Sequence, residues 1–289
     1  MHTTTMAPAG PREELLAGLP VSERRLDAAG TPTLVLEGGS GSPVILLHGP
    51  GESAVKWLRI LPGLVRSHHV IAPDLPAHGG TGVPAGGLNE SEVMRWVAGV
   101  VAAAAEPPTI VGHVLGGAIA ARYAAQPGAR LGRLVLVDSL GLAPFRPAPA
   151  FALAMLGFLA HPDERSYDRF MRQCSFDLDR LKREMGDRWE PFTDYNLELS
   201  RAPAARNAGR LFRRLGLPRI PDHVLDRITV PTTLIWGRHD RANRLRVAER
   251  VSARRQWPLH VIEDCADDPP RDEPDAFLRA LRSALEPPA

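Results

Sequence analysis

Lysine is nearly missing from this chain of 289 residues: it stands only at Lys56 and Lys182, so arginine carries almost all the positive charge. The 35 basic residues face 33 acidic ones, a net charge of +2. No stretch combines clustered arginine with interleaved aromatics, which argues against a nucleic-acid partner. Cysteine is as scarce. Cys174 and Cys265 cannot build a disulfide framework, and they fit a reducing cytoplasm. No run of about 18 apolar residues occurs, so no membrane span is expected, and the apolar segment from Phe151 to Leu159 is too short for one. A basic region followed by an apolar run is also missing at the N-terminus, so residues 1–20 read as a flexible tail and not a signal peptide. There are no internal repeats, and no low-complexity tract beyond that tail and the Pro/Ala-rich segment before Phe151.

What is present is ordinary for a globular protein: 44% hydrophobic and 24% charged residues. Short aliphatic runs alternate with longer helical stretches, the pattern of a mostly parallel sheet covered on both faces. The candidate strands are Thr33–Leu36, Val44–Leu47, His69–Ala72, Thr109–Gly112, Leu134–Val137, Thr232–Trp236 and His260–Ile262. Most are continuous apolar runs, as expected for strands buried on both sides. Between them Glu52–Leu64, Ser91–Ala105, Leu115–Ala125, Asn243–Arg254 and Asp272–Leu285 read as helices, with Asn89 and Asp272 as N-caps. From about Gly141 to Arg227 the alternation stops. Helical pieces at Phe151–Ala160, Asp163–Cys174, Leu178–Leu199 and Ala204–Leu215 follow one another, punctuated by prolines such as Pro147, Pro191 and Pro218. The pattern predicts a core of residues 21–140 and 228–289, with residues 141–227 as a helical cap over one edge of the sheet.

Four segments in order, each at a predicted strand end, resemble the capped branch of the α/β-hydrolase superfamily. They are Leu46-Leu47-His48-Gly49-Pro50-Gly51, Asp74-Leu75-Pro76-Ala77-His78-Gly79, Val111-Gly112-His113-Val114-Leu115-Gly116-Gly117 and Trp236-Gly237-Arg238-His239-Asp240. The resemblance runs from about Pro32 to Leu285. It implies an α/β-hydrolase fold: a mostly parallel central sheet flanked by helices, with the cap inserted between the sixth and seventh core strands.

The resemblance also implies places for a catalytic triad, and two of the three are changed. Val114 stands at the nucleophile elbow where the family carries serine, among Gly112, Gly116 and Gly117. Valine has no lone pair to attack with and no route to an acyl-enzyme. The elbow requires positive φ, uncommon for a β-branched side chain, so either Val114 is strained or the elbow is relaxed. Asp240 matches the family's acid. In the run Asp264-Cys265-Ala266-Asp267-Asp268-Pro269-Pro270, Asp267 takes the histidine position, or Asp268 after a slip of one residue. The family's oxyanion hole corresponds to the N–H of Leu115 and one from the Gly49 loop. If that donor is Pro50 it has no N–H, and Gly51 substitutes only if the loop is shifted.

Facing carboxyls at Asp240 and Asp267 cannot both ionise cheaply, so one would titrate high and serve as a general acid or base. The bland alternative is a pair neutralised by Arg238, Arg241 or water. No His–carboxylate spacing supports a metal, and no cofactor is expected. His113, His48 and His78 read as structural, while His239 flanks Asp240 and is a candidate to rotate into the pocket. Cys265 reads as a small buried hydrophobe. Trp57 and the cap aromatics Phe145, Phe151, Phe158, Trp189, Phe192, Tyr195 and Phe212 suit a pocket for a bulky apolar or aromatic ligand, or the cap's own core. Glu52 reads as the first-turn acid of the next helix.

The leading expectation is a cofactor-free, non-hydrolytic enzyme of the cyclase, lyase, isomerase or C–C coupling type. It would act on a polycyclic natural-product intermediate with Asp240 and Asp267 as its acid–base pair. The alternatives are an inactive ligand-binding pseudoenzyme or receptor, and a hydrolase of epoxides or activated esters with a relocated water-activating carboxylate. The expected partner is a small apolar or aromatic molecule, with neither nucleic acid nor membrane involved. The chain is expected to be a monomer or homodimer.

Overall fold

The computed structural model describes residues 10–286. Eight strands, β1 (Ser22–Ala28), β2 (Thr31–Gly38), β3 (Pro43–Leu47), β4 (His69–Pro73), β5 (Thr109–His113), β6 (Arg133–Val137), β7 (Thr232–Gly237) and β8 (Leu259–Ile262), form one sheet. Their spatial order is β1-β2-β4-β3-β5-β6-β7-β8. β2 pairs antiparallel with β1 and β4, and every pairing from β4 through β8 is parallel. This is the α/β-hydrolase fold that the four motifs implied. The register sets Leu47 opposite Gly112, His113 opposite Val137 and Val137 opposite Ile235, so the loops after β3, β5, β6 and β7 leave from one edge.

The helices before β6 are α1 (Pro11–Leu16), α2 (Leu61–Leu64), α3 (Glu90–Ala102) and α4 (Leu115–Ala124). Between β6 and β7 run α5 (Pro149–Ala160), α6 (Glu164–Cys174), α7 (Leu178–Met185), α8 (Trp189–Arg201), α9 (Ala205–Leu211) and α10 (Asp222–Leu225), with no strand among them. After β7 come α11 (Arg246–Arg255), α12 (Pro269–Asp272) and α13 (Pro274–Leu285). None of the described helices is long and apolar enough to cross a membrane.

The aliphatic runs of β3 and β5 are buried throughout because both faces of the sheet are covered. Trp96, Ile119 and Trp236 fill one face, and Trp57, Phe277 and Leu281 the other. Full burial of a side chain such as Phe277 or Leu281 stabilises the fold by about 1.5–3 kcal/mol. All seven expected strands are present. The eighth, β1, was missed because Ser-Glu-Arg-Arg-Leu-Asp-Ala holds one large aliphatic residue on an edge strand that is mostly open to solvent. Ala29 and Gly30, both with positive φ, close its hairpin with β2.

Several local expectations are corrected. Asn89 does cap α3, accepting the N–H of Glu92 at 3.0 Å, but Asp272 caps nothing. It ends α12, and its carboxylate accepts the N–H groups of Ala266 and Phe176. The stretch Glu52–Leu64 is a 3-10 turn at Ala54–Arg59 followed by the short α2. Leu178–Leu199 splits at Gly186, whose φ of 53° ends α7. The expected tail holds a helix: α1 buries Leu15 completely among Val55, Leu58 and cap residues. Arg12 pairs with Asp74 at 3.4 Å and donates to the Tyr195 hydroxyl. Residues 1–9 of that tail lie outside the described residues.

Candidate active site

The elbow between β5 and α4 is strained. Val114 has φ 47° and ψ −103°, a backbone that a β-branched residue holds only at a cost of about 1–3 kcal/mol. The surrounding fold imposes it: Val114 donates its N–H to the Val137 carbonyl at 3.0 Å and accepts that of Leu140 at 3.1 Å. A Cβ at Gly112 would overlap the Gly116 backbone, and one at Gly116 the Leu47 carbonyl. Those contacts explain the glycines of the motif. Val114 is half-buried, and the N–H of Leu115 opens the first turn of α4. In the His-Gly loop the Gly49 N–H is taken, donating to Glu52 Oε2 at 2.8 Å. Pro50 has no N–H, and Gly51 is exposed with φ 74°. Glu52 is therefore a clamp on this loop and not a helix-start acid; Ser53 caps the following turn.

Three carboxyls gather beside the elbow where the sequence pointed to two. Asp138 directly follows β6, fully buried with φ 42°, and its Oδ1 accepts the Gly237 N–H at 3.0 Å. Asp240 follows β7, and its Oδ1 accepts the N–H groups of Ala242 and Asn243, each at 2.7 Å. The Oδ2 of each is buried without a hydrogen-bond partner among the described residues, and the Asp240 charge acts on Asp138. Asp267, in the loop after β8, leaves its Oδ1 without a donor among the described residues. Burial pushes all three carboxyls up, and the Asp240 charge pushes Asp138 and Asp267 further. Asp240 rises to about 6, its burial opposed by the Asn243 and Ala242 N–H groups. The signal for Asp138 lay in its place at the carboxyl end of a buried parallel strand, the edge where α/β sheets build their sites.

A buried ionic network lies behind this cluster. Lys56, in the 3-10 turn, donates to His113 Nδ1, so His113 Nε2 carries the ring proton and donates it to the Asp267 main-chain carbonyl at 2.7 Å. Lys56 also lies 3.1 Å from Asp268 and 3.6 Å from Glu52, while Arg271 meets Asp268 at 2.9 Å. Burial would raise Asp268, but Arg271 and Lys56 hold it low. Burial would raise Glu52 too, and Lys56 and His113 outweigh it. Asp268 turns toward the cations, whereas the charge that acts most on Asp267 is that of Asp240. Trp57 is fully buried and packs edge-on against His113, ring centroids 6.3 Å apart.

Other expected neighbours lie elsewhere. Arg238 pairs with Glu263, and Arg241 donates to the carbonyls of Arg172, Gln173 and Ser175, so neither neutralises the carboxyls. His239 is exposed and lies 4.8 Å from the Phe176 ring, away from the site. His48 accepts the Leu75 N–H through Nε2 at 2.8 Å, a loop-holding role. Phe151, Phe158, Phe192 and Tyr195 belong to one buried cap cluster, with Trp189 packed 5.9 Å from Phe192. Phe145, packed against that same cluster, meets Phe212 of the sheet's own core edge-on, ring centroids 6.2 Å apart. Cavities of about 200 and 280 Å³ open beside the loop after β6 and α11 instead, and Trp57, Trp189, Phe192 and Tyr195 line neither.

The sequence model of the alpha/beta hydrolase family matches residues 44–280. The 2-hydroxymuconate semialdehyde hydrolase of Pseudomonas sp. (strain CF600) is 35% identical over 126 residues, 41% of this chain and 44% of that protein, so the match spans under half of that relative's length. The 2-hydroxy-6-oxo-6-phenylhexa-2,4-dienoate hydrolase of Comamonas testosteroni is 27% identical over 272 residues, 84% of this chain and 87% of that one. Among solved structures, the enzyme of that same name from Rhodococcus sp. strain RHA1 superposes with a TM-score of 0.80 at 22% identity, over 92% of this chain and 98% of that one. That likeness shows the fold. The relatives are named hydrolases, which overturns the expectation of a non-hydrolytic cyclase, lyase, isomerase or coupling enzyme. The physical error was to equate a lost nucleophile with lost hydrolysis: valine removes the acyl-enzyme route but leaves attack by water open. With this sheet, the strained turn at Val114 and a family model matched over residues 44–280, the chain belongs to the alpha/beta hydrolase family.

Proposed function

We propose that the chain is a hydrolase in which the carboxyls of Asp138, Asp240 and Asp267 activate water against a small, largely apolar carbonyl compound. The observation that carries this reading is the buried Asp240, whose Oδ1 is fixed by the Ala242 and Asn243 N–H groups while its Oδ2 has no hydrogen-bond partner among the described residues, and whose burial pushes its pKa up to about 6. A base poised near the working pH combines a useful ionised fraction with real proton affinity. Water adds its oxygen to the carbonyl carbon and gives its proton to the Asp240 carboxylate. The bond from that carbon to the leaving carbon or oxygen breaks, and the leaving atom takes a proton from neutral Asp267. The gained and lost protons then re-equilibrate within the cluster. Val114 is an apolar wall beside the attack position, the Leu115 N–H faces the developing oxyanion, and residues 141–227 form the cap.

The relatives' names supply the substrate class, conjugated 2-hydroxy-6-oxo-dienoates, and activated esters present the same electrophilic carbon. The test is turnover of 2-hydroxy-6-oxo-6-phenylhexa-2,4-dienoate and p-nitrophenyl esters in oxygen-18 water by wild type and Asp240→Asn. The expected result is label in the product carboxylate, with kcat lowered about 10²–10⁴-fold in Asp240→Asn at similar KM. Turnover at the wild-type rate in Asp240→Asn overturns the reading.

A further inference from the structure

The two cavities adjoin, sharing Ala143, Pro144, Val247 and Arg250. Four arginines, Arg146, Arg244, Arg246 and Arg250, line the smaller one, and no acidic residue does. Arginines elsewhere in the chain find carboxylates: Arg238 meets Glu263, Arg172 meets Asp168, and Arg219, Arg254 and Arg255 share Asp222. None of the four forms an ion pair among the described residues. Two of them also stand at an unfavourable place. Arg244 and Arg246 sit at the N-terminal end of α11, where the helix dipole disfavours a cation by about 0.3–1 kcal/mol. Glu249, the acid in that first turn, acts on Arg238 instead.

Four like charges converging at a positive helix end repel one another, and an anion in the cavity relieves both effects. Guanidinium forks match phosphoryl oxygens two at a time, and they hold phosphate better than a point charge does. The floor of Ala143, Pro144 and Val247 is apolar, suited to the organic part next to the phosphate. Asn243 also lines the cavity, while its N–H donates to Asp240 Oδ1 and its Nδ2 to the Ser139 carbonyl at 2.5 Å.

We propose that this cavity binds the phosphoryl group of an organic phosphate, at a place separate from the carboxyl cluster and joined to it through Asn243. The inference holds whether or not the cluster hydrolyses anything. Calorimetry on the full chain with inorganic pyrophosphate, in about 0.1 M salt to screen diffuse attraction, is the test. Saturable binding is expected, weakened about tenfold or more in Arg244→Gln and in Arg250→Gln, each of which removes a charged fork. Arg282→Gln, on the exposed side of α13, is expected to bind like wild type. Vesicles of phosphatidylcholine with and without phosphatidic acid locate the source of the phosphate. Arg250-dependent sedimentation only with phosphatidic acid assigns a lipid headgroup, and pyrophosphate binding without sedimentation assigns a soluble phosphate. Lack of saturable pyrophosphate binding, or equal weakening in Arg282→Gln, overturns the proposal.

Discussion

His113 Nε2 donates to the main-chain carbonyl of Asp267 across 2.7 Å, tying the residue before the elbow to the loop after β8. Lys56 on the other ring nitrogen sets the tautomer, so the tie has one direction. The backbone of Asp267 is thereby held while its carboxyl Oδ1 stays without a hydrogen-bond partner among the described residues. The first prediction tests whether position 267 reaches the elbow.

Val114→Ser alone is expected to stay unlabelled by a fluorophosphonate, because no imidazole stands ready to take the hydroxyl proton. Adding Asp267→His to it supplies the base, and labelling is expected to accelerate about 10²–10⁴-fold. Mass spectrometry of the intact chain reads the adduct. Equal labelling of the single and double variants would show that position 267 does not reach the elbow.

Lys56 is buried between Glu52, Asp268 and His113, so its removal leaves buried carboxylates uncompensated. Lys56→Met is expected to cost about 3–5 kcal/mol in denaturant unfolding. In Lys56→Met/Asp268→Asn the loss is expected to be smaller than the sum of the single losses, because the two side chains share one interaction. Additive losses would place Lys56 outside the network.

The raised carboxyls give a pH dependence of definite sign. The folded chain holds protons on Asp138, Asp240 and Asp267 that the unfolded chain releases, so their contribution to stability is full below the ordinary aspartate range. For Asp240 it is lost as pH rises through about 6, and for Asp138 and Asp267 as pH rises through their own raised pKa values. Glu52 and Asp268 act in the opposite sense, their contribution being lost as pH falls. The buried imidazoles of His48 and His78, both lowered by burial, act in that same opposite sense, so the aspartate contribution is read as the change in Tm between pH 5.5 and pH 8 in wild type compared with Asp138→Asn. Asp138→Asn is expected to lose less stability than wild type on going to pH 8, since the amide still accepts from Gly237 and does not titrate. A pH dependence unchanged in Asp138→Asn would overturn the raised Asp138 carboxyl.

Leu15 is completely buried where α1 meets the cap cluster. Leu15→Ala is expected to cost about 2–4 kcal/mol and to expose the Gly18 turn to limited proteolysis. Cleavage patterns matching wild type would mean that α1 does not depend on this contact.

Local chemistry made much of this protein legible before any coordinates. Continuous runs such as Val-Ile-Leu-Leu before His48 and Leu-Val-Leu-Val before Asp138 read as buried parallel strands, because only a sheet covered on both faces tolerates them. The glycines around Val114 specified a tight elbow, and the strain there follows from a β-branched residue in a turn built for φ above zero. β1 stayed hidden because it is polar and at an edge, and α1 because six residues carry little periodic signal. What only the tertiary structure decided are contacts between distant segments. Lys56 and His113 are 57 residues apart, and His113 and Asp267 are 154 apart; strand order brings them together. The third carboxyl, the inward turn of the cap aromatics and the unpaired arginines beside α11 are of the same kind. Burial depth and neighbouring charge set how a carboxyl titrates, and both depend on how the whole chain packs, not on the residues beside it in sequence.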